Sequence, residues 1–457
     1  MLIDTHCHLD FPDFDTDRDD VIKRAGAAGV LYLVNIGSSV EGSVRSLELA
    51  RKYPQVYASA GVHPHYAAAT GGRVPAPLVQ LFDDDKVIAV GEVGLDYYRD
   101  LSPRDVQRSL FIEFIRLAKE RSLPLVIHVR QAHEDMRSIL KDEFARGSAK
   151  GVIHCFSGGD KDLETYLELG FYISFTCNLT FDSAKELRAL ARTIPAERLL
   201  LETDAPFMAP QKFRGKRNEP AYLPYLVSEL AVALGLSEED IARITTHNAG
   251  ALFGLPLEER SKIAYPIRDS LYLNITNECS NDCDFCVRRS YDAVKGHRLS
   301  LLREPTVDEI KEAVGDPSKY REIVFCGYGE PTLRLDAVKE VARYLKDKGC
   351  NVRMVTNGEG NLIHNRSIAG ELAGLIDRVS VSLNVDSSEK YDAICKSRFG
   401  PGVFDKVKRF ISECKEAGMD VEVTFLDLPG VDRARCEKIA CGELKARFRM
   451  RKLDIVG

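Results

Sequence analysis

No stretch of the chain approaches the eighteen or so consecutive apolar residues that a membrane-spanning helix requires, so no membrane partner is expected. The opening Met1-Leu-Ile-Asp-Thr-His6 lacks a basic segment leading into an apolar one, so no secretory leader is expected either. There is no repeat of solenoid length and no low-complexity tract. Charge of one sign is also missing: 63 Lys and Arg against 69 Asp and Glu leave a net charge of −6. That excludes a protein coating nucleic acid by bulk electrostatics, but it leaves room for a local phosphate site. Twelve cysteines in 457 residues are too few for a dense disulfide framework and suit a reducing cytoplasm.

What is present is the material of a soluble globular protein, 44% hydrophobic and 29% charged, in a chain long enough for two or three domains. The first half alternates short apolar runs with longer amphipathic segments, the pattern of β/α units around a parallel sheet. The runs Leu2–His6, Val30–Asn35, Val56–Ala60, Val87–Gly91, Pro124–His128, Gly151–His154, Phe171–Phe175 and Arg198–Thr203 make eight candidate strands, the count of a TIM-type barrel. The clearest helix is expected from Ser102 to about Glu120. Ser102 is its candidate cap, Pro103 lies in its first turn, and Val106, Leu110, Phe114 and Leu117 face the sheet.

Ligand-type residues fall at the ends of these runs. His6 and His8 close the first, His63 and His65 follow the third, and Glu92 ends the fourth; His128, His154 and Asp204 belong to the fifth, sixth and eighth. A barrel collects such positions at one face, where its chemistry sits. His6 and His8, two apart on an extended segment, share a side. Imidazole with carboxylate suits zinc, manganese or, less typically, magnesium, so ligand type alone does not choose the ion.

The stretches Thr5-His6-Cys7-His8, Gly91-Glu92-Val93-Gly94-Leu95-Asp96-Tyr97, Ile127-His128-Val129-Arg130, His154-Cys155-Phe156-Ser157-Gly158, Glu202-Thr203-Asp204-Ala205-Pro206 and His247-Asn248-Ala249-Gly250 closely resemble the TatD-type metal-dependent deoxyribonucleases over residues 1–254. The resemblance implies two divalent ions (Mg, Mn or Zn): one on His6, His8 and Asp204, the second on His128 and His154, with Glu92 bridging. It makes a DNA or RNA phosphodiester the expected substrate. Asp204 is then the candidate to take a proton from the attacking water, His63 to assist the leaving group, and Arg130 to meet phosphate. The basic loop Lys212-Phe-Arg214-Gly-Lys216-Arg217 is a further candidate phosphate contact, although such runs are more often simply solvated. An amide or ester hydrolase preparing a small substrate is the alternative.

Residues 256–270, mixed in charge with two prolines, read as a linker between a unit ending near 255 and one spanning 271–457. Directly after the apolar run Leu271–Thr276 comes Cys279-Ser-Asn-Asp-Cys283-Asp-Phe-Cys286. Three thiolates in eight residues can converge on one soft metal centre; a [4Fe–4S] cluster bound by three cysteines keeps one iron open. The other readings are a zinc site completed by His297, or three unrelated core cysteines.

Five more runs follow, at Glu322–Cys326, Asn351–Thr356, Arg378–Leu383, Val421–Phe425 and Arg449–Ile455, for six strands in all. With its Cys-x3-Cys-x2-Cys spacing and the later Gly327-Tyr328-Gly329-Glu330-Pro331, this half resembles the radical S-adenosylmethionine (SAM) superfamily. That implies a partial (β/α)6 barrel and a [4Fe–4S] cluster on Cys279, Cys283 and Cys286. It also implies SAM bound at the open iron and cleaved reductively to a radical, with reduced flavodoxin or ferredoxin as electron donor. Gly327, Tyr328, Gly329, Glu330, Asn357, Ser382 and Asn384 fall where the superfamily contacts SAM. No added domain with a second cluster is expected, and a glycyl-radical-activase role is a further possibility. The sequence thus reads as a bifunctional α/β enzyme whose radical substrate it does not name.

Overall fold

The computed structural model describes residues 1–257, 261–289 and 293–452. They fall into two compact units, Met1–Leu257 and Glu258–Gly457.

In the first unit, strands β1 (Leu2–Cys7), β2 (Val30–Asn35), β3 (Val56–Ala60), β4 (Val87–Asp96), β5 (Leu125–Arg130), β6 (Gly151–Ile153), β7 (Tyr172–Phe175) and β8 (Leu199–Leu201) pair in sequence order, all parallel. This is the expected (β/α)8 barrel, nearly closed. An isolated parallel bridge joins Cys7 to Ala205. Thr5 Oγ1 donates to Leu201 O at 2.9 Å, and the buried Asp4 carboxylate accepts from Thr203 N–H and Oγ1–H at 3.0 and 2.5 Å. Those bonds tie the first strand to the last, and the residues they hold are the neighbours of His6 and Asp204.

The helix Arg104–Arg121 buries Leu110 and Phe114 against the barrel, with Val106 and Leu117 partly buried beside them. Its cap differs from expectation. Pro103 holds the capping position and makes no side-chain bond to the first turn. Ser102 instead accepts from Ala68 N–H and donates to His65 O, at 3.0 and 2.8 Å. The loop carrying His63 and His65 offers it both a donor and an acceptor, and these outcompete the helix end.

Strand β4 runs five residues past the expected Gly91, because Gly94 lets it lie close against β5. A Cβ at Gly94 would sit 2.0 Å from His128 O, and its φ of +142° suits glycine alone. Glu92 is therefore inside a strand, and its position is set on both sides.

The second unit is a seven-stranded sheet where six were expected. Its strands are β9 (Ala264–Ile267), β10 (Ser270–Leu273), β13 (Glu322–Phe325), β14 (Val352–Thr356), β15 (Arg378–Asn384), β16 (Asp420–Asp427) and β17 (Arg447–Lys452). The two-residue strands β11 (Ala293–Val294) and β12 (His297–Arg298) form a separate small hairpin. β10 to β17 of the main sheet are parallel and make the expected partial barrel. β9 pairs antiparallel to β10 and comes from the stretch read as linker. Pro266 interrupts its apolar alternation, which an edge strand tolerates. Residues 258–260 of that linker, and 453–455 of the last expected strand, lie outside the described residues. The unit's core includes Phe325, Met354, Val381, Phe410 and Phe425.

Candidate active sites

At one end of the first barrel four imidazoles and two carboxylates converge, none of the six side chains more than 15% exposed. His6 Nε2 and His8 Nε2 lie 3.2 Å apart, and Asp204 Oδ1 is 3.6 and 3.5 Å from them. Glu92 Oε2 faces the same pair at 3.7 and 3.8 Å. Its other oxygen, Oε1, is 2.9 Å from His128 Nδ1 and 3.2 Å from His154 Nε2. One carboxylate thus turns an oxygen toward each group. Asp204 and Cys155, next to His154, both have left-handed backbone, with φ of 55° and 45°. Side-chain-bearing residues seldom adopt that conformation outside functional sites.

The outward nitrogens decide which atoms can bind an ion. His8 Nδ1 faces Ile36 O at 3.0 Å, His128 Nε2 faces Asp96 Oδ2 at 3.1 Å, and His154 Nδ1 faces Glu202 Oε1 at 3.2 Å. Each of those oxygens accepts a hydrogen bond from the ring N–H it faces, so in the neutral ring the inward nitrogen carries the lone pair. Lone pairs of His8, His128 and His154 therefore point at each other and at two carboxylates, an arrangement that repels itself unless cations stand between. Protons feel the same field. Burial opposes charge on His8, yet hydrogen bonding to Asp204 and attraction from Glu92 hold it up at about 9. The donor set fits divalent metal.

His63 is oriented the other way. Its Nδ1 accepts from His65 N–H at 3.2 Å, leaving the proton on Nε2, which lies 3.7 Å from Glu92 Oε1. His65 Nε2 is similarly engaged by Asp96 Oδ2 at 3.0 Å. The close set His63–His65–Asp96 is therefore a hydrogen-bonding set through His65 and Asp96, whereas in His63–Glu92–His128 the His63 nitrogen stands beyond hydrogen-bonding distance of the shared carboxylate. Asp96 and Glu202 lie within the sequence motifs of the first unit. Only the fold shows that they hold His128 and His154. Their one sequence signal was position, Asp96 four residues after Glu92 and Glu202 two before Asp204.

These groups open into a cavity of about 570 Å³ whose lining includes Arg130. The Arg130 guanidinium lies 3.9 Å from the centre of the Tyr98 ring. The basic loop behaves differently. Arg217 is clamped on Asp17 at 2.7 and 2.8 Å, Lys212 reaches Tyr225 OH at 3.2 Å, and none of its four cations lines the cavity.

In the second unit, Cys279, Cys283 and Cys286 lie on the loop after β10, half-buried and free of disulfides. Among the described residues they do not form, with or without His297, a set whose ligand atoms are all within 4.8 Å of one another. His297 Nε2 instead faces Pro266 O at 3.0 Å. A single zinc ion needs such a close set, whereas a cluster takes each thiolate on a different iron. Arg288 Nε donates to Cys286 Sγ at 3.2 Å, and Asn357 Nδ2 lies 3.9 Å from Cys279 Sγ. Burial pushes the Cys279 thiol up to about 12, so a cation must draw off its proton before it can act as ligand. The thiols and their donors fit an iron–sulfur cluster.

The glycine motif packs directly on this loop. A Cβ at Gly329 would meet Glu278 O at 2.3 Å, and one at Gly327 would meet Asn274 Oδ1 at 2.1 Å. Tyr328 N–H lies 3.2 Å from Asn274 Oδ1. Glu330 is buried, with its carboxylate occupied by Thr332, Thr356 Oγ1 and Asn357 N–H at 2.6–3.0 Å. Its visible work is to tie the ends of β13 and β14 together. Ser382 Oγ is 3.4 Å from Thr424 Oγ1. Asn384 is 4% exposed and reaches Cys395 Sγ at 3.7 Å, and the Cys395 carbonyl accepts from Cys283 Sγ at 3.5 Å.

Fold and donor sets together define a metal-dependent (β/α)8 hydrolase joined to a partial barrel with an iron–sulfur loop. The chain belongs to the TatD related DNase family, whose model matches residues 3–254, and residues 273–440 match the radical SAM superfamily. It is thus an enzyme in both halves. Over 253 residues it is 42% identical to the uncharacterized metal-dependent hydrolase YabD of Bacillus subtilis, covering 55% of this chain and 99% of that protein. It is 40% identical over 260 residues to the 3′-5′ ssDNA/RNA exonuclease TatD of Erwinia tasmaniensis, covering 56% of this chain and all of that one. Among solved structures, the Escherichia coli TatD homologue YJJV superposes with a TM-score of 0.51 at 32% identity, covering 56% of this chain and 98% of that one. A TatD family hydrolase from Entamoeba histolytica (TM-score 0.50, 23% identity, 55% and 97% covered) shares the fold. Among the described residues, no helix is long and apolar enough to cross a membrane.

Proposed function

We propose that the first unit, residues 1–257, is a two-metal phosphodiesterase acting on DNA or RNA. His6, His8 and Asp204 would hold one ion, His128 and His154 the other, with Glu92 shared. The observation that carries this reading is the split of Glu92, with Oε2 toward His6 and His8 and Oε1 toward His128 and His154. When bound, two such ions supply a nucleophilic water at neutral pH and a clamp on both oxygens of an in-line displacement.

The remaining work belongs to the chain. Asp204, 13% exposed at the cavity floor, is placed to accept the water's proton. His63 carries its proton on Nε2 and is placed to donate it as a hydrogen bond to the leaving oxygen. Burial holds His63 well below the ordinary imidazole range, so it acts as a neutral donor. Arg130 offers charge to a neighbouring phosphate. Two divalent ions against two carboxylates leave the site positive, which favours an anionic diester over a neutral amide. The relative named as a 3′-5′ ssDNA/RNA exonuclease supports the same substrate class.

For the second unit we propose a SAM-dependent enzyme in which Cys279, Cys283 and Cys286 hold a [4Fe–4S] cluster. The backbone of Gly327–Glu330, with Asn357 and Ser382, would cradle SAM, and reduced flavodoxin or ferredoxin would supply the electron. Such a cluster with SAM supplies one-electron chemistry at an unactivated carbon. Asn384 is buried and turned to Cys395, which in turn bonds Cys283 of the cluster loop. Twelve unpaired cysteines suit the reducing cytoplasm this chemistry needs.

The test is cleavage of end-labelled single-stranded DNA and RNA by the full chain loaded with Mg, Mn or Zn. Shortened, chelator-sensitive products are expected. No cleavage with any of the three ions would overturn the phosphodiesterase assignment.

A further inference from the structure

The charged cavity of the first unit has an apolar rim. Phe207, Tyr66 and Met208 line it and are 50%, 53% and 39% exposed, among the most exposed large hydrophobic residues of the chain. Scattered singly, such residues need no explanation; gathered at the mouth of a catalytic cavity they mark a surface that a ligand covers.

Phe207 is the best placed. Its N–H donates to Asp204 O at 2.8 Å, and its carbonyl accepts from the buried Asn218 side chain at 2.6 Å, so its backbone is pinned while its ring stays open. The ring meets Phe11 edge-on at 6.0 Å and lies 6.4 Å from the His8 ring. Phe11 in turn stacks on His8 at 4.7 Å. An aromatic ledge therefore stands immediately beside His8 and Asp204. On the side of His128 and Asp96 the same cavity is lined by Arg99 and Arg130. Among the described residues, neither arginine forms an ion pair with a carboxylate, and both lie over the Tyr98 ring, at 6.0 and 3.9 Å.

We propose that Phe207, backed by Phe11, is a stacking platform for an unpaired nucleobase, and that Arg99 and Arg130 take the phosphate on the other side of the bond being cut. The proposal rests on the phosphodiesterase reading and adds how the strand is recognised. An exposed aromatic ring on one side of the cavity and two arginines on the other call for a ligand that is planar and apolar at one end and anionic at the other, which a nucleotide is. Stacking uses the π-face common to all bases, so it selects unpaired strands without selecting sequence. A base inside a duplex already has neighbours on both faces and cannot also lie on Phe207. At about 570 Å³ the cavity is of small-ligand size, and a duplex does not enter it.

The experiment measures binding of the metal-loaded full chain to two uncleavable phosphorothioate probes, an oligothymidylate and an abasic chain of equal length and charge. Metal content is checked in every variant. The wild type should prefer the oligothymidylate. Phe207→Ala should weaken oligothymidylate binding by about tenfold while leaving the abasic probe unchanged, and Phe207→Trp should restore it. Arg130→Ala should weaken both probes alike. Equal losses on both probes for Phe207→Ala, or no wild-type preference for bases, would overturn the platform. An Arg130→Ala variant that binds both as the wild type does would remove the arginine half. Failure of the wild type to bind either probe would instead remove the phosphodiesterase reading beneath it.

Discussion

His128 Nε2 lies 3.1 Å from Asp96 Oδ2, on the edge of the ring opposite the nitrogen that faces Glu92. Asp96 so fixes both the tautomer and the angle of a proposed ligand, and it does the same for His65. Attraction to such partners outweighs burial and holds the Asp96 carboxyl below its usual range. Removing this kind of carboxylate typically costs 10- to 100-fold in metal affinity or activity, by roughly that order of magnitude. Asp96→Asn should lose affinity for one ion by about that factor while the fold persists; competition with a chromogenic chelator measures it.

Glu92→Ala should damage both ion sites, because its two oxygens face different imidazole pairs. His154→Ala should weaken mainly one. Metal counting by mass spectrometry on the two variants separates these outcomes. A full complement of two ions in Glu92→Ala would refute the shared role.

Cys283→Ala leaves two thiolates on the loop, too few to hold a four-iron cluster stably. Anaerobically reconstituted protein should then lose most of its iron and its visible absorption, and release no 5′-deoxyadenosine from SAM. Iron content equal to the wild type would sink the cluster assignment.

Arg217 and Asp17 provide a contrast with Arg130. Hydrogen bonding to Arg217 holds the Asp17 carboxyl down to about 2, against slight burial and with help from Arg24. A depressed carboxyl stabilises the fold above its unfolded value near 4, and that contribution disappears as pH falls from about 4 to about 2. Both side chains are 31% exposed and solvent screens the pair, so its worth is no more than about 1 kcal/mol. Arg217→Ala should lower the melting temperature slightly at pH 7 but not near pH 2. Oligonucleotide affinity should stay unchanged, as fluorescence anisotropy would show.

A chain ending at Leu257 should be soluble and bind divalent metal. All six proposed ligands lie between His6 and Asp204, and the first compact unit closes at Leu257. A barrel of about 250 residues is a usual size for independent folding. Its nuclease activity should persist in air and vanish with chelator. If the truncation binds metal but is inactive while the aerated full chain cleaves, the site borrows residues from beyond the first unit.

Much of this was written in the order of residues. Alternating apolar runs dictated two β/α units, because a strand buried on both faces must be apolar along its length. His6 and His8 had to share a side, since side chains on an extended segment repeat every second residue. The spacing of Cys279, Cys283 and Cys286 required one loop. Other features depended on partners far away in sequence. Whether His128 binds through Nδ1 or Nε2 is decided by Asp96, and whether His63 is a ligand or a donor by the backbone N–H of His65. Ser102 left its helix for the His65 loop, Ala264–Ile267 became a strand once β10 lay beside it, and the ring of Phe207 opened onto the metal cavity. Local sequence sets periodicity and reach, whereas the direction of a proton or an exposed ring is set by whatever the closed barrel brings within hydrogen-bonding distance.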